Sequence, residues 1–298
     1  MSLNSLVLKE FNPMPTLPHF LSIDLEDWHT SAFLRNHLPK GKPVSQIEES
    51  TMPILSLLKE TKTFATFFVL GSIAQEHPNL IKQIVEDGHE IASHGFSHTP
   101  LWQLTPASFK SELELTNKLL EEISGRKVKG FRAPYCSLDQ STAWTLPILQ
   151  ELGFEYDSSI FPMRTSLYGV KDAPTGIYRI SGENILQHQA NASLIEIPFT
   201  VASYKIARIP CTGGIYGRIL PFFILDFLLK QVSANRPINF YFHPWEVYPN
   251  TIRIKAPLFN RFVSYYQNDV YLARIRKLLD TYHFSSFEKI LPTLAPTI

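Results

Sequence analysis

From Phe20 onward, short and almost wholly apolar runs alternate with stretches whose apolar residues recur every three or four positions. That alternation predicts parallel strands joined by crossover helices. Phe20-Leu-Ser-Ile-Asp-Leu opens the series, a helix is expected around residues 52–60, and Phe64-Ala-Thr-Phe-Phe-Val-Leu is the second strand, ended by Gly71. A helix over residues 73–87 carries Ile73, Ile81, Ile84 and Val85 at helical spacing, with Gly88 placed as its stop. Residues 90–93 are the third strand. Thr105-Pro106 reads as an N-cap followed by proline at the first helical position, and that helix continues to about Ile123, with Gly125 closing it. Lys129-Gly-Phe-Arg-Ala-Pro is the fourth strand, residues 141–152 are helical despite Pro147, and Phe154-Glu-Tyr-Asp-Ser-Ser is the fifth strand. Residues 194–201 and 238–242 complete the strands. Between them, residues 161–193 carry the Pro, Gly and Asn signals of a loop or hairpin excursion, and the tail beyond Ile252 reads as one or two packing helices.

Composition narrows the function classes. The 298 residues, 44% hydrophobic and 18% charged, fit one folded α/β domain with terminal extensions. A formal net charge of +1 gives no long-range field toward nucleic acid or an anionic surface, so a nucleic-acid partner is not expected. The two cysteines, Cys136 and Cys211, do not resemble a secreted disulfide framework and read as buried free thiols. The N-terminal twenty residues lack a basic region and an unbroken apolar run, and no stretch is long enough for a transmembrane helix. A cytoplasmic location is the corresponding expectation.

The chemistry lies where the strands end. His94-Gly-Phe-Ser-His98 directly follows the third strand, and two imidazoles four apart on a helical turn point to one side, where they can share a zinc-like metal. A catalytic site of that kind normally adds a carboxylate. Asp24, Glu26 and Asp27 end the first strand, Arg132 the fourth, Asp157 the fifth and His243 the last. In parallel α/β sheets and barrels these carboxyl ends gather at one face, where active sites form. Asp24 and Glu26 share one side of an extended strand and Asp27 takes the other, unless the strand has already turned into a loop.

These residues in this order resemble the NodB-type polysaccharide deacetylases, carbohydrate esterase family 4, over roughly residues 20–249. Ser22-Ile-Asp-Leu-Glu-Asp-Trp28 resembles the first, acidic motif in the D-x-E-D form of an exopolysaccharide-associated branch, and His94-Gly-Phe-Ser-His98 the second. Arg132-Ala-Pro-Tyr135, Tyr156-Asp-Ser-Ser159 and Phe240-Tyr-Phe-His243-Pro resemble the third to fifth. Gly213-Gly-Ile-Tyr-Gly-Arg218 resembles a glycine-rich stretch of that branch. The resemblance implies a distorted (β/α)7-type barrel, with residues 1–19 as an N-terminal extension, 20–250 as the catalytic domain and 251–298 as a helical extension packed on it.

It also implies a metal-dependent hydrolysis of the N-acetyl group of N-acetylhexosamine units, in a polysaccharide or its lipid-linked precursor. Glu26, His94 and His98 are then the metal ligands, with Asp27 the rival third ligand, and Zn2+ is the expected metal, with Co2+ or Ni2+ as alternatives. A bound metal lowers the pKa of water to about 7. Asp24 is the general base, held ionised by Arg132; the backbone N–H of Tyr135 is the oxyanion donor; and His243 is the general acid, its pKa raised by Asp157. Trp28, Trp102, Tyr135, Tyr216 and Trp245 are candidates for stacking on sugar faces, while Gly213 and Gly214 permit close backbone approach. Two other readings keep the fold: an amidohydrolase of a cyclic amide such as allantoin or of a peptidoglycan-like substrate, and a carbohydrate-binding protein without turnover.

Overall fold

The computed structural model describes residues 17–204 and 207–294. Most of the expected N-terminal extension, with the leader-peptide reading made on it, therefore lies outside the described residues. β1 (His19–Leu25) is buried along its whole length, as its apolar run requires. Parallel to it and to one another follow β2 (Thr66–Val69), β3 (Glu90–Ser93), β4 (Gly130–Phe131) and β5 (Tyr156–Asp157). The excursion after β5 returns through β6 (Tyr178–Arg179), antiparallel to β7 (Ile195–Glu196), which lies parallel to β5. β8 (Val201–Tyr204) and β9 (Ala207–Pro210) form a separate antiparallel pair. β10 (Asn239–Phe242) lies parallel to β1 on its other side, and β11 (Phe284–Ser285) pairs with the start of β1.

The main sheet thus runs β10-β1-β2-β3-β4-β5-β7-β6. The expected barrel is a curled, open half-barrel: no ladder joins β6 to β10 among the described residues. Side chains lace the gap instead. Asn239 Nδ2 on β10 donates to the carbonyls of Ile197 and Pro198 at 2.9 and 3.2 Å, and its backbone N–H donates to Thr200 Oγ1 at 2.7 Å.

The crossover helices follow the sequence signals, with informative exceptions. α1 (Ile47–Thr61) begins earlier than its apolar spacing indicates. The expected single helix over 73–87 is two, α2 (Gly71–Glu76) and α3 (Pro78–Glu86), because Pro78 supplies no N–H and starts a new helix at its first position. Gly71 accordingly opens α2 and does not merely end a strand. α4 (Pro106–Ser124) has the expected Thr105 cap, reinforced by Ser108 in a capping box, and Gly125 closes it at φ 67°. α5 (Thr145–Glu151) accommodates Pro147 in its first turn. The apolar run after residue 213 breaks at Pro221 into α6 (Gly214–Ile219) and α7 (Phe222–Ser233). The tail holds α8 (Leu258–Tyr265), α9 (Asn268–Thr281), β11 and α10 (Phe287–Leu294), so it adds an edge strand as well as helices. Phe287 inserts between Phe20, Phe68 and Tyr156 beneath the sheet.

Candidate active site at the carboxyl ends of the strands

β1 stops at Leu25, and Glu26 N–H turns back onto the Asp24 carbonyl at 2.9 Å. That turn decides the three carboxylates. Asp24 and Glu26 face the site, while Asp27 caps the next turn, accepting from Trp28 N–H at 2.8 Å and from Gln46 N–H at 3.0 Å. Asp27 thereby ties the strand end to the start of α1.

The two histidines reach the same place by a route that differs from the expected helical turn. His94-Gly-Phe-Ser-His98 is a tight loop in which Gly95 (φ 75°) and His98 (φ 55°) are left-handed. α2 and α4 hold it. Gly71 and Ser72 at the start of α2 donate to the carbonyls of Gly95 and Phe96, while Glu112 of α4 accepts from Phe96 N–H and Ser97 Oγ.

One ligand atom each from buried Glu26, His94 and His98 lies within 4.8 Å of the others. His94 Nδ1 donates to the Arg132 carbonyl at 2.8 Å, which fixes its tautomer and leaves Nε2 with a lone pair. Burial, with the His98 ring beside it, pushes the His94 pKa down to about 4, so it is neutral at neutral pH as a metal ligand must be. Glu26 spans His98 Nε2 at 2.7 Å and His243 Nε2 at 2.9 Å and accepts from Thr30 Oγ1 at 2.7 Å. Burial opposes its charge, but the two imidazoles hold its carboxyl well below the usual carboxylate range. A carboxylate with two imidazoles is a fitting donor set for a divalent first-row metal.

Arg132 is buried beside this cluster, 2.5 Å from Asp24 Oδ1, with Nε on the Ser158 carbonyl and its guanidinium over the Phe68 and Phe199 rings at 4.0 and 4.6 Å. Tyr135 follows in a left-handed conformation (φ 58°) and its ring lies 4.4 Å from that of His98. Its hydroxyl donates to the Thr30 carbonyl at 2.7 Å, and burial and the nearby Glu26 charge push its pKa up to about 12.

His243 differs from expectation in its partner. Its Nδ1 lies 2.8 Å from Glu246, and its backbone N–H donates to the same carboxylate oxygen at 3.0 Å. Burial alone would lower its pKa, yet Glu246 and Glu26 hold it well above the ordinary imidazole value. Glu246 is in turn held by buried Arg218 at 3.0 Å, and Arg218 also donates to the carbonyls of Gly214, Val263 and Tyr266. Gly214 is glycine for a physical reason: a Cβ there would meet the Glu246 carboxylate at 1.7–1.8 Å. The glycine-rich stretch therefore seats the Arg218–Glu246–His243 chain.

Asp157, expected against His243, instead faces Glu196 across the β5–β7 ladder, and both carboxyls are fully buried. Burial raises both pKa values, and the Asp157 charge raises that of Glu196 further, so the pair keeps a proton. Asp157 accepts from Ser159 Oγ, which accepts from Ala133 N–H, so the pair positions the Arg132–Tyr135 loop from beneath. Glu246, Arg218 and Glu196 are the residues missed by sequence reasoning; the signals for the first two were a His-x-x-Glu spacing at a strand end and the arginine closing the glycine-rich stretch.

The cluster floors a cleft of about 470 Å³ whose walls include Trp102, Tyr135, Tyr216 and Trp245. Trp28 is not among them, being buried against Leu34, Trp245 and Tyr265 with Nε1 donating to the Val44 carbonyl. Both cysteines are free, and burial pushes both thiols up, which leaves neither as a nucleophile near neutral pH.

Comparison with known proteins fits this geometry. Residues 40–156 match the family model described as polysaccharide deacetylase, and residues 158–292 match one described as a domain of unknown function, DUF3473. The two matched stretches meet near β5. Over 87 residues, 29% of this chain and 32% of the relative, the sequence is 36% identical to a peptidoglycan-N-acetylglucosamine deacetylase of Bacillus cereus. Over 100 residues, 33% of this chain and 45% of the relative, it is 36% identical to a chitooligosaccharide deacetylase of Azorhizobium caulinodans. The match thus spans about a third to under half the length of these relatives. Among solved structures, a Mycobacterium smegmatis protein assigned as a polysaccharide deacetylase superposes with a TM-score of 0.61 at 17% identity, covering 94% of this chain and 91% of that one. Puue allantoinase superposes with a TM-score of 0.59 at 15% identity, covering 95% and 91%. At such identities the likeness is one of fold.

Proposed function

This chain carries a polysaccharide deacetylase domain over residues 40–156, and from that premise we propose that it hydrolyses the N-acetyl group of N-acetylhexosamine units in a polysaccharide or its lipid-linked precursor, releasing acetate. The observation that carries this reading is the convergence of Glu26, His94 and His98 beside Asp24 and His243 on the floor of one cleft. Glu26 and the two histidines would hold a divalent metal, zinc foremost; Asp27 is committed to its capping bonds. Such a metal supplies Lewis acidity toward the acetyl carbonyl and makes water a competent nucleophile near neutral pH.

The protein's own groups do the rest. Asp24, held in place by its ion pair with Arg132, takes the proton of the attacking water as the water oxygen bonds to the amide carbon. The backbone N–H of Tyr135 is the candidate donor to the resulting oxyanion. His243, kept protonated by Glu246, delivers its proton to the nitrogen as the C–N bond breaks, leaving a free amine and acetate. The aromatic walls offer flat faces to sugar rings with few charges.

The test is acetate release from N-acetylglucosamine oligomers by the purified chain, alongside its metal content. Metal-dependent release that is lost in His94→Ala supports the proposal. Turnover of allantoin without acetate release from oligomers would replace it with the cyclic-amide reading, and tight sugar binding with no turnover would leave a binding protein.

A further inference from the structure

Two stretches of this chain contain no acidic residue, residues 28–47 and 247–268, and the structure packs them together beside the cleft. Leu38, Ile252, Ile254 and Ala256 cover the cluster of Trp28, Leu34, Trp245 and Tyr265, while Asn260 Nδ2 donates to the Phe33 carbonyl at 2.7 Å. The outer face of this unit is unusual for a water-soluble surface. α8 buries Val263, Ser264 and Tyr265 but turns Leu258, Phe259 and Phe262 to solvent, at 82%, 67% and 45% exposure. Together with Tyr266 these fall on one stripe at positions i, i+1, i+4 and i+8, which a helix ordinarily buries. Val44, on the other stretch, is 68% exposed.

The charged side chains that these two stretches themselves supply have one sign. Arg253, Lys255 and Arg261 are exposed and in no ion pair among the described residues; Arg253 lies over the Tyr265 ring. Exposed Lys40 and Lys42 stand on the other stretch, Lys42 paired with Glu76. The chain as a whole has a formal net charge of only +1, so this is a local concentration of positive charge.

We propose that this face docks on an anionic lipid bilayer, with Leu258, Phe259 and Phe262 entering the headgroup–acyl boundary and Arg253, Lys255 and Arg261 meeting lipid phosphates. An exposed apolar stripe flanked by arginine and lysine is the pattern of a helix that lies in the membrane interface. No helix of the described residues is long and apolar enough to cross a membrane, so the contact is peripheral. A second copy of the chain fits less well, because self-pairing of the face sets its cations against their own copies. An anionic glycan would satisfy the cations but not the protruding leucine. The docked face is continuous with the cleft, since Phe33, a cleft-wall residue, contacts Phe259 at 6.1 Å between ring centroids. If the deacetylase reading holds, such docking favours a glycan carried on a lipid over one free in solution.

The test is sedimentation of the purified chain with vesicles of phosphatidylcholine alone and of phosphatidylcholine with phosphatidylglycerol. Sedimentation with the anionic vesicles alone is expected, weakened by salt. Reversing charge in Arg253→Glu/Lys255→Glu/Arg261→Glu should weaken it by at least about five-fold per cation. Leu258→Asp/Phe262→Asp should abolish it with the melting temperature kept, both side chains being exposed. Failure of the wild type to sediment with anionic vesicles, or equal sedimentation of both variants, overturns the proposal. So does a concentration-dependent dimer, seen by analytical ultracentrifugation and lost in the apolar variant, that forms in place of vesicle binding. Binding is measured without substrate, so its failure leaves the deacetylase reading standing.

Discussion

At the scale of single residues, the site depends on which carboxylate does which task, and the end of β1 makes the division. Glu26 faces His98 and His243, whereas Asp27 is spent on two backbone N–H groups. Glu26→Gln should therefore abolish stoichiometric metal binding with little change in folding, while Asp27→Ala should keep the metal and cost about 1 kcal/mol of stability as a lost cap. Metal analysis and thermal melts of the two variants check this; loss of metal in Asp27→Ala alone would exchange their roles. The sequence made Asp24, Glu26, His94, His98, Arg132 and His243 legible because each stands at the end of an apolar run. It did not reveal that Asp157 pairs with Glu196, because a carboxyl–carboxyl contact across a two-residue ladder leaves no local pattern. The partner of His243 was three residues away, and its role depends on Arg218, distant in sequence.

At the scale of elements, helices with caps and strands within apolar runs were readable, including the two-residue β4, β5 and β7, whereas two short strands were not. β6 and β11 have two residues each, too few for any periodicity, and exist because neighbouring strands template them. α2 and α3 were read as one helix because their apolar spacing continues across Pro78. The most consequential element is α6, a single turn or so whose role is to bring Arg218 to Glu246. Gly214→Ala places a methyl group inside the Glu246 carboxylate, so either the helix or the carboxylate must move. Deacetylation by this variant should fall about ten- to a hundredfold in kcat, with metal content unchanged, as when an outer hydrogen-bond partner of a site is lost. Unchanged kcat would detach the glycine-rich stretch from the reaction. Glu246→Ala should go further and destabilise the fold by about 3–5 kcal/mol, because it leaves Arg218 as a buried, uncompensated charge.

At the scale of the whole molecule, one curled sheet carries residues matched by two family models, and the site draws on both. Arg132, just past β4, lies in the first matched stretch, and His243, which follows β10 and is supported from α6, lies in the second, while Glu26, just past β1, precedes both. The same core sets the acid stability. Buried His19 and His89 each accept a backbone N–H at Nδ1, from Ile238 and Ala65, and burial pushes both pKa values down from 6.5 to about 4. Unfolded chains take up those protons below about pH 6.5 and the folded protein does not, so this stability is present above 6.5 and falls as pH drops toward 4. Each contributes at most about 3 kcal/mol across that window. Glu90, pushed up to about 7 by burial, runs in the opposite sense. His89→Asn, which keeps an acceptor, should flatten the decline in melting temperature between pH 6.5 and 4; an unaltered slope would contradict it. The central claim is that Glu26, His94 and His98 hold a metal that the hydrolysis needs. Acetate release from N-acetylglucosamine oligomers, measured on the wild-type chain after chelation and again after zinc is restored, tests it most directly. The account predicts that release stops on chelation and returns with zinc; release that persists in the chelated protein, or that zinc cannot bring back, contradicts it.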